Sequence, residues 1–334
     1  MMLAETYSSL RKRLQAEGAF CVRDLYGAAT VIAECCVVAA SVASIAYATP
    51  FSLLYWFLQV VLAFSMFRMF VIVHECGHNT LFRKRGMNTF VGSLVSPACL
   101  LPYIPWRNIH VQHHKWVGVV DKDPTQAHLL TLRDMSHTET ALFRVVWKLW
   151  IPVPFMLFVV RVFWLYPVRE LMGGRRLHAR QGALSVLLCT GPHVALVAFI
   201  GVGKYLVLFG PAILLFYVIY EIINLPQHSG LFPYTSETHP EPIPLRGQDE
   251  ITRTTYLPRW LAILLNYNFN FHIEHHLFPS IPWYALPKVT PRLEGLSGFQ
   301  YQRVAFLKFM VHLRREDPMD VYVRSLPPLE AKNA

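Results

Sequence analysis

Eight histidines of this 334-residue chain fall into three tight clusters. The clusters read HECGH at residues 74–78, HVQHH at residues 110–114 and HIEHH at residues 272–276. On a helix, positions i, i+3 and i+4 share one face, so each cluster can aim two or three imidazoles at a common point. Imidazole binds Zn, Cu, Ni and Fe, so the spacing predicts metal binding without naming the metal. His228, which follows a long apolar segment, is a ninth candidate ligand.

The number of clustered histidines predicts two metal ions. Eight or nine imidazoles exceed the roughly six positions of an octahedral ion, and catalysis also needs an open position. A ferritin-like di-iron site needs a Glu-x-x-His motif on each of two helices, and the sequence contains no such pair. The histidines outside the clusters are interpreted as structural: His128, His137, His178, His193, His239 and His312.

Four apolar segments must position the clusters, and each is long enough for the roughly 20 helical residues that cross a bilayer. They cover residues 28–48, 51–73, 183–203 and 205–223. Two further apolar stretches, residues 91–106 and 143–168, are interrupted by prolines or charges and are predicted to be interfacial or re-entrant. The expected fold is an all-α integral membrane domain with four transmembrane helices, a single unit over residues 1–334.

Charge predicts the direction of these spans. Only 16% of the residues are charged, well below the quarter or so of a soluble domain, yet the net charge is +10. Arg and Lys flank three of the segment ends and mark the cytoplasmic side. Both termini and a cytosolic helical cap, residues 74–182 and 224–334, are therefore predicted to be cytoplasmic, with all three clusters in or beside the cap. Nucleic-acid binding is disfavoured, because no basic face with stacking aromatic residues stands outside the apolar segments.

Two charged residues lie within the predicted spans. Glu34 is in the first span, where an intramembrane carboxylate is either a functional group or a structural partner. Arg68 is in the second span, and we expect its side chain to extend to the inner interface.

Two other functions could use part of this pattern. The first cluster matches H-E-x-x-H, in which Glu75 would be the general base of an intramembrane zinc protease, but that function leaves the other clusters unexplained. A non-enzymatic metal or haem carrier would also use paired histidines, although it would more naturally place them within the spans.

The three clusters in this order resemble the histidine boxes of the integral-membrane fatty acid desaturase family. The resemblance extends from about residue 70 to residue 289, and it includes Asn224-x-x-x-His228 before the last box. It implies a di-iron site that uses O2 and is held by His74, His78, His110, His113, His114, His228, His272, His275 and His276. It also implies that Asn224 acts through a water and that Asp121 and Asp123 orient ligand histidines. Glu75 and Glu274 either do the same or are solvated charges.

The activity that this resemblance implies is desaturation of a fatty acyl lipid or acyl thioester in the membrane. Hydroxylases and ketolases of carotenoids, sphingolipids or alkanes have similar boxes and are the alternative. The acyl chain is expected in a hydrophobic tunnel beneath the boxes, lined by span ends and the 91–106 stretch. The sequence has neither a His-Pro-Gly-Gly haem motif nor a G-x-G-x-x-G motif, so a separate ferredoxin, rubredoxin or cytochrome b5 with its reductase is the expected electron donor. Basic residues near the C-terminus either bind this donor or are solvated or lipid-facing: Arg292, Arg303, Arg314 and Arg315.

Overall fold

The computed structural model describes residues 6–293, 296, 299, 301–324 and 326–327. Within them the α-helices are α1 (Tyr7–Ala16), α2 (Asp24–Tyr47), α3 (Leu53–His78), α4 (Arg85–Val95), α5 (Tyr103–Trp116), α6 (His137–Lys148), α7 (Val153–Val159), α8 (Tyr166–Met172), α9 (Arg176–Ile200), α10 (Val202–His228), α11 (Arg259–Asn266), α12 (His272–Leu277), α13 (Thr290–Leu293) and α14 (Phe306–Arg315). Short 3-10 helices cover Ser96–Cys99, Ala127–Asp134, Leu245–Glu250 and Leu286–Lys288, and π-helical turns cover Val160–Trp164 and Asp320–Arg324. Two three-residue strands, β1 (Thr254–Tyr256) and β2 (Arg303–Ala305), pair in parallel.

Four of these helices are long and apolar enough to cross a membrane: α2, α3, α9 and α10. The all-α membrane fold with four spans is thus confirmed, but the bounds differ from the predicted ones. Helix α3 continues five residues past the predicted end at residue 73, so the first histidine box lies within its last turns. Asn79 then ends the helix in the left-handed conformation that Asn tolerates well (φ 59°).

The boundary between the third and fourth spans also lies earlier than predicted. Gly201 breaks the chain between α9 and α10 at a φ of 81°, which glycine adopts without steric cost. Helix α10 then continues through Pro226 and ends at His228 instead of residue 223. A proline removes one helical hydrogen bond and often kinks a helix, but here the helix extends two residues beyond it.

The two ambiguous apolar stretches form sharply bent helix pairs. Arg85–Cys99 and Tyr103–Trp116 meet at 102°, and His137–Lys148 and Val153–Trp164 meet at 105°. Each pair has the length and apolar composition of a broken span or a re-entrant loop. The described part of the chain therefore has four spans, or up to six if each pair is counted as one.

Helix α3 is the centre of the packing, and it is buried along most of its C-terminal half. Its aromatic residues Phe67 and Phe70 contact Tyr220 of α10 and Phe269, which precedes the third box. A Cβ on Gly77 would come within 2.7 Å of the Trp106 ring, so glycine at this position permits close approach of α5. This packing brings the first and second boxes together.

Glu34 and Arg68 form a buried ion pair between α2 and α3. Arg68 Nε donates to Glu34 at 2.5 Å, and the hydroxyls of Ser65 and Tyr267 donate to the same carboxylate. Arg68 also donates to the carbonyl of Leu264 at 2.7 Å. Arg68 was expected to extend to the inner interface; in the structure its side chain is buried and a partner inside the protein satisfies its charge. Glu34 has the structural role.

Candidate metal centre

The three boxes and His228 reach one region of the molecule from four segments. Box one ends α3, box two is on α5, His228 ends α10, and box three forms the short helix α12. Hydrogen bonds to Glu274 hold α12 in place. Its buried carboxylate accepts from Thr254 (2.7 Å), Tyr301 (2.6 Å) and Thr290.

The nine histidines divide into two groups, and within each group one nitrogen per ring lies within 4.8 Å of all the others. The first group contains five residues, His74, His78, His110, His114 and His275. The second group contains four residues, His113, His228, His272 and His276. The groups adjoin, since the rings of His114 and His276 stack with their centroids 4.3 Å apart.

The spacing of the facing nitrogens fits a bound metal. In the first group, His275 Nε2 lies 3.1 Å from His74 Nε2 and 2.9 Å from His114 Nε2. In the second, His228 Nε2 and His272 Nε2 lie 2.7 Å apart. Nitrogens about 2.1 Å from one ion and at right angles around it would be about 3.0 Å apart. One hydrogen or one lone pair per nitrogen cannot satisfy so many facing atoms, whereas a central cation accepts all the lone pairs.

The protonation state of box three also suits metal binding. Burial holds the pKa of His272, His275 and His276 well below the usual range, and neighbouring imidazoles lower it further. These rings are therefore neutral near pH 7, which is the form in which histidine binds a metal.

Three histidines of the second group have the outer nitrogen fixed by a hydrogen bond. His113 Nδ1 donates to Asp123 at 2.7 Å, and His228 Nδ1 donates to the carbonyl of Ile251 at 3.1 Å. His276 Nδ1 donates to Gln248 Oε1 at 2.9 Å, which leaves its buried Nε2 without a hydrogen-bond partner among the described residues. Such partners select the tautomer whose free lone pair faces the metal.

Gln248 is a candidate site residue that the sequence did not indicate. Its side chain is buried, and Nε2 donates to the carbonyls of His114 (2.9 Å) and Ile243 (3.0 Å). These two bonds fix the amide so that Oε1 must face His276. Gln248 therefore connects box two with box three, although it lies 28 residues before His276 in a polar segment without a motif.

Two other predicted site residues, Asn224 and Asp121, form hydrogen bonds to groups other than the histidines. Asn224 donates to the carbonyl of Tyr220 at 2.8 Å and lines a cavity one turn before His228. Asp121 does not contact a histidine in the described residues; its carboxylate accepts from the backbone N–H (2.7 Å) and hydroxyl of Ser236. We correct that expectation: in the turn after α5, Asp121 fixes the Ser236 loop, while Asp123 points inward to the histidines.

Glu75 and Glu274 are both buried, so the alternative that they are solvated charges is wrong. Glu75 accepts from the hydroxyl of Thr80 (2.7 Å) and the backbone of Trp283 (2.9 Å), and one of its oxygens lies 3.4 Å from His74 Nδ1. In a zinc protease, Glu75 would act on a water bound to a metal that His74 and His78 hold. In this structure His74 and His78 instead lie in one group with three histidines of the other two boxes.

An apolar cavity of about 470 Å³ ends at the histidines. This is within the range of roughly 300–1,000 Å³ typical of small-molecule sites. Its inner end contains His110, His113, His228 and His272. The exposed side chains of Leu142, Val153 and Leu157 line its outer part. The 91–106 stretch was expected to line the tunnel, but among the described residues of that stretch Trp106 alone lines the cavity. Helices α6 and α7 line the cavity instead.

If the histidine groups hold iron, as the resemblance implies, replacing Gln248 by Leu is expected to weaken iron binding and lower turnover by about 10–100-fold, because His276 loses the partner that orients it. Excess iron should restore part of the activity, which a purely structural defect would not allow. Iron titration of the purified apoprotein tests this. Gln302→Leu is the matched control, since the Gln302 side-chain amide donates to the carbonyl of Glu250 at an exposed position. Equal iron affinity of Gln248→Leu and wild type would contradict the orienting role.

These observations define a helical membrane protein with two adjoining histidine clusters at the end of an apolar cavity. The sequence model of one family, Fatty acid desaturase, matches residues 50–307. The chain therefore belongs to the fatty acid desaturase family, as the resemblance predicted.

Curated relatives carry the same family name. The chain is 27% identical over 276 residues to an endoplasmic-reticulum omega-3 fatty acid desaturase from Vigna radiata var. radiata, covering 75% of this chain and 66% of the relative. It is 25% identical over 272 residues to a chloroplastic omega-3 fatty acid desaturase from Sesamum indicum, covering 75% and 56%. It is 24% identical over 261 residues to an sn-1 acyl-lipid omega-3 desaturase (ferredoxin) from Synechocystis sp., covering 75% and 69%. The matched part thus spans between a little over half and about two thirds of these relatives.

Proposed function

We propose that this protein is an O2-dependent membrane enzyme that introduces a double bond into a fatty acyl chain. The observation that carries the proposal is the apolar cavity that ends at both histidine groups. A cavity of this volume and apolar lining suits an alkyl chain, and the histidines in its lining would lie beside one segment of that chain. The names of the relatives support the acyl substrate.

Two iron ions are the proposed cofactor, one in each histidine group. The five-residue group would hold one ion, and the four-residue group, with Asn224 acting through a water, would hold the other. Bound iron would supply the O2-dependent oxidation of C–H bonds, which side chains alone do not provide. In the overall reaction two C–H bonds break and a C=C bond forms. O2 takes up those two hydrogens together with two electrons from the donor and two protons, and it leaves as two waters.

The protein's own residues bind and position the chain in this proposal. Phe70, Trp106 and Phe269 surround the inner end of the cavity and exclude water from the carbon that reacts. Asp123, Gln248 and the Ile251 carbonyl hold the ligand rings in a fixed orientation. The carbon that lies nearest the histidine groups becomes the carbon that is oxidised.

The electrons are proposed to come from a separate redox protein with its reductase. The name of the Synechocystis relative includes ferredoxin, which supports a carrier of this kind. The predicted basic docking residues need one correction, because Arg314 is buried in an ion pair with Glu221 and is not available to a partner.

We further propose that both termini and the metal centre face the cytoplasm. A cysteine introduced at position 48 should react with a membrane-impermeant maleimide added to intact cells, because residue 48 lies between the first two spans. A cysteine replacing the exposed Arg246, near Gln248, should react only after the membrane is permeabilised. The background would carry Ser at the exposed Cys21, Cys35 and Cys36. Labelling of position 246 from outside would contradict the topology.

Acyl profiling of a host with and without the expressed gene tests the activity. Expression should add an unsaturated fatty acid that the host otherwise lacks, and the His275→Ala variant expressed at the same level should not. An unchanged profile, with the protein loaded with iron and supplied with its reductant, would contradict the proposal.

A further inference from the structure

The C-terminal strap, defined here as residues 306–324, contributes to the wall of the cavity. It consists of α14 and the π-helical turn Asp320–Arg324. The matched family region ends at residue 307, so almost all of the strap lies outside it. Tyr322 of the strap nevertheless lines the cavity, and its ring centroid lies 6.1 Å from that of Phe143 on α6.

A buried ion pair fixes the strap to helix α10. Arg314 Nη2 lies 3.0 Å from the carboxylate of Glu221, and both side chains are about nine-tenths buried or more. The Arg314 guanidinium stacks over Trp147 at 4.0 Å and over Trp150 at 4.6 Å. Glu221 itself lines the cavity. A charge in an apolar cavity wall is costly without a partner, so this pair requires the strap to stay in place.

Contacts with α6 hold the strap on its other side. Arg144 Nε donates to Asp317 at 2.6 Å, and the Trp147 indole donates to the carbonyl of Glu316 at 3.2 Å. The inner face of the strap is apolar and packs in one cluster that contains Met310, Leu313, Val321, Trp147 and Leu225. Helix α6 carries part of the outer cavity wall, so the strap and α6 form one continuous surface around the cavity.

We propose that the C-terminal strap is part of the acyl-binding site and that Tyr322 is a specificity-determining residue. The proposal rests on the proposed function, since the ligand is the acyl chain. Tyr322 and Phe143 both line the cavity. The Trp147 ring packs against Tyr322 with the centroids 5.6 Å apart, and Arg314 stacks over Trp147, so these contacts keep the Tyr322 ring at its position. The ring therefore limits how the chain lies, and with it which carbon reaches the histidine groups.

Photo-crosslinking tests the location without requiring turnover. Purified full-length protein would be incubated with a fatty acid that carries a diazirine near its methyl end, irradiated and digested with trypsin. The label should appear on the peptide of residues 316–324, which contains Tyr322, and an excess of unlabelled fatty acid should suppress it. Label confined to other peptides would overturn the placement of the strap in the acyl site.

Product analysis of Tyr322 variants tests the specificity. Tyr322→Ala should change the ratio of products from a mixture of acyl chain lengths, or the position of the new double bond, by about 10-fold. Tyr322→Phe and the exposed Lys308→Ala should keep the wild-type ratios. An equal loss of all products in Tyr322→Ala would overturn the specificity role. If the wild type crosslinks at the strap but forms no unsaturated product, the proposed function fails while the strap remains part of a lipid site.

Discussion

Replacing His275 by Ala is expected to abolish acyl oxidation, with a loss of at least ~100-fold, and to lower the iron bound per chain. His275 Nε2 faces both His74 and His114 at about the separation that two ligands of one ion require. The side chain is buried, so bulk water does not replace the missing nitrogen easily. Iron content and turnover of purified variants, measured side by side, check the prediction.

His178→Ala is the matched control, because His178 is half exposed and belongs to neither histidine group. It should retain wild-type iron content and turnover. His272→Ala, from the four-residue group, should also lower both quantities if the two groups hold one ion each. A variant at His272 that keeps all its iron would show that the second group is not a metal site.

Replacing Glu34 by Ala is expected to destabilise the folded protein by about 3–5 kcal/mol, because it leaves the buried Arg68 charge without its partner. The same carboxylate accepts from Ser65 and Tyr267, so three groups lose an acceptor together. Thermal unfolding in a defined detergent measures the effect as a lower midpoint.

The double variant Glu34→Leu with Arg68→Met is the control for this prediction. Removing both charges avoids an unpaired ion, so its stability should lie closer to that of the wild type. An unfolding midpoint of Glu34→Ala equal to that of the wild type would show that the pair does not stabilise the fold.

The sequence predicted the features that a short continuous stretch of residues is enough to indicate, namely the spans and the histidine boxes. Spans are recognisable because about 20 apolar residues in a row have few other uses, and box spacing is recognisable because helical periodicity is fixed. The sequence also indicated His228, which lies two residues after Pro226; the structure continues α10 through this proline, so His228 stays on the helix.

The remaining features depend on tertiary packing. Asp121 and Asp123 are equivalent in sequence, but a turn directs one to Ser236 and the other to His113. Gln248 carries no motif, and its role follows only from the carbonyls that fix its amide. Arg68 was expected to reach the interface, because the sequence alone does not show that Glu34 lies beside it.

Mass spectrometry of the product formed from a chain-deuterated acyl substrate under 18O2 tests the central claim most directly. Desaturation and hydroxylation differ in whether the second hydrogen is removed or oxygen is added to the first carbon. The proposed function predicts a product that has lost two deuteriums from adjacent carbons and contains no 18O. A lipid product that carries 18O as a hydroxyl or keto oxygen would contradict it and would establish a hydroxylase or ketolase instead.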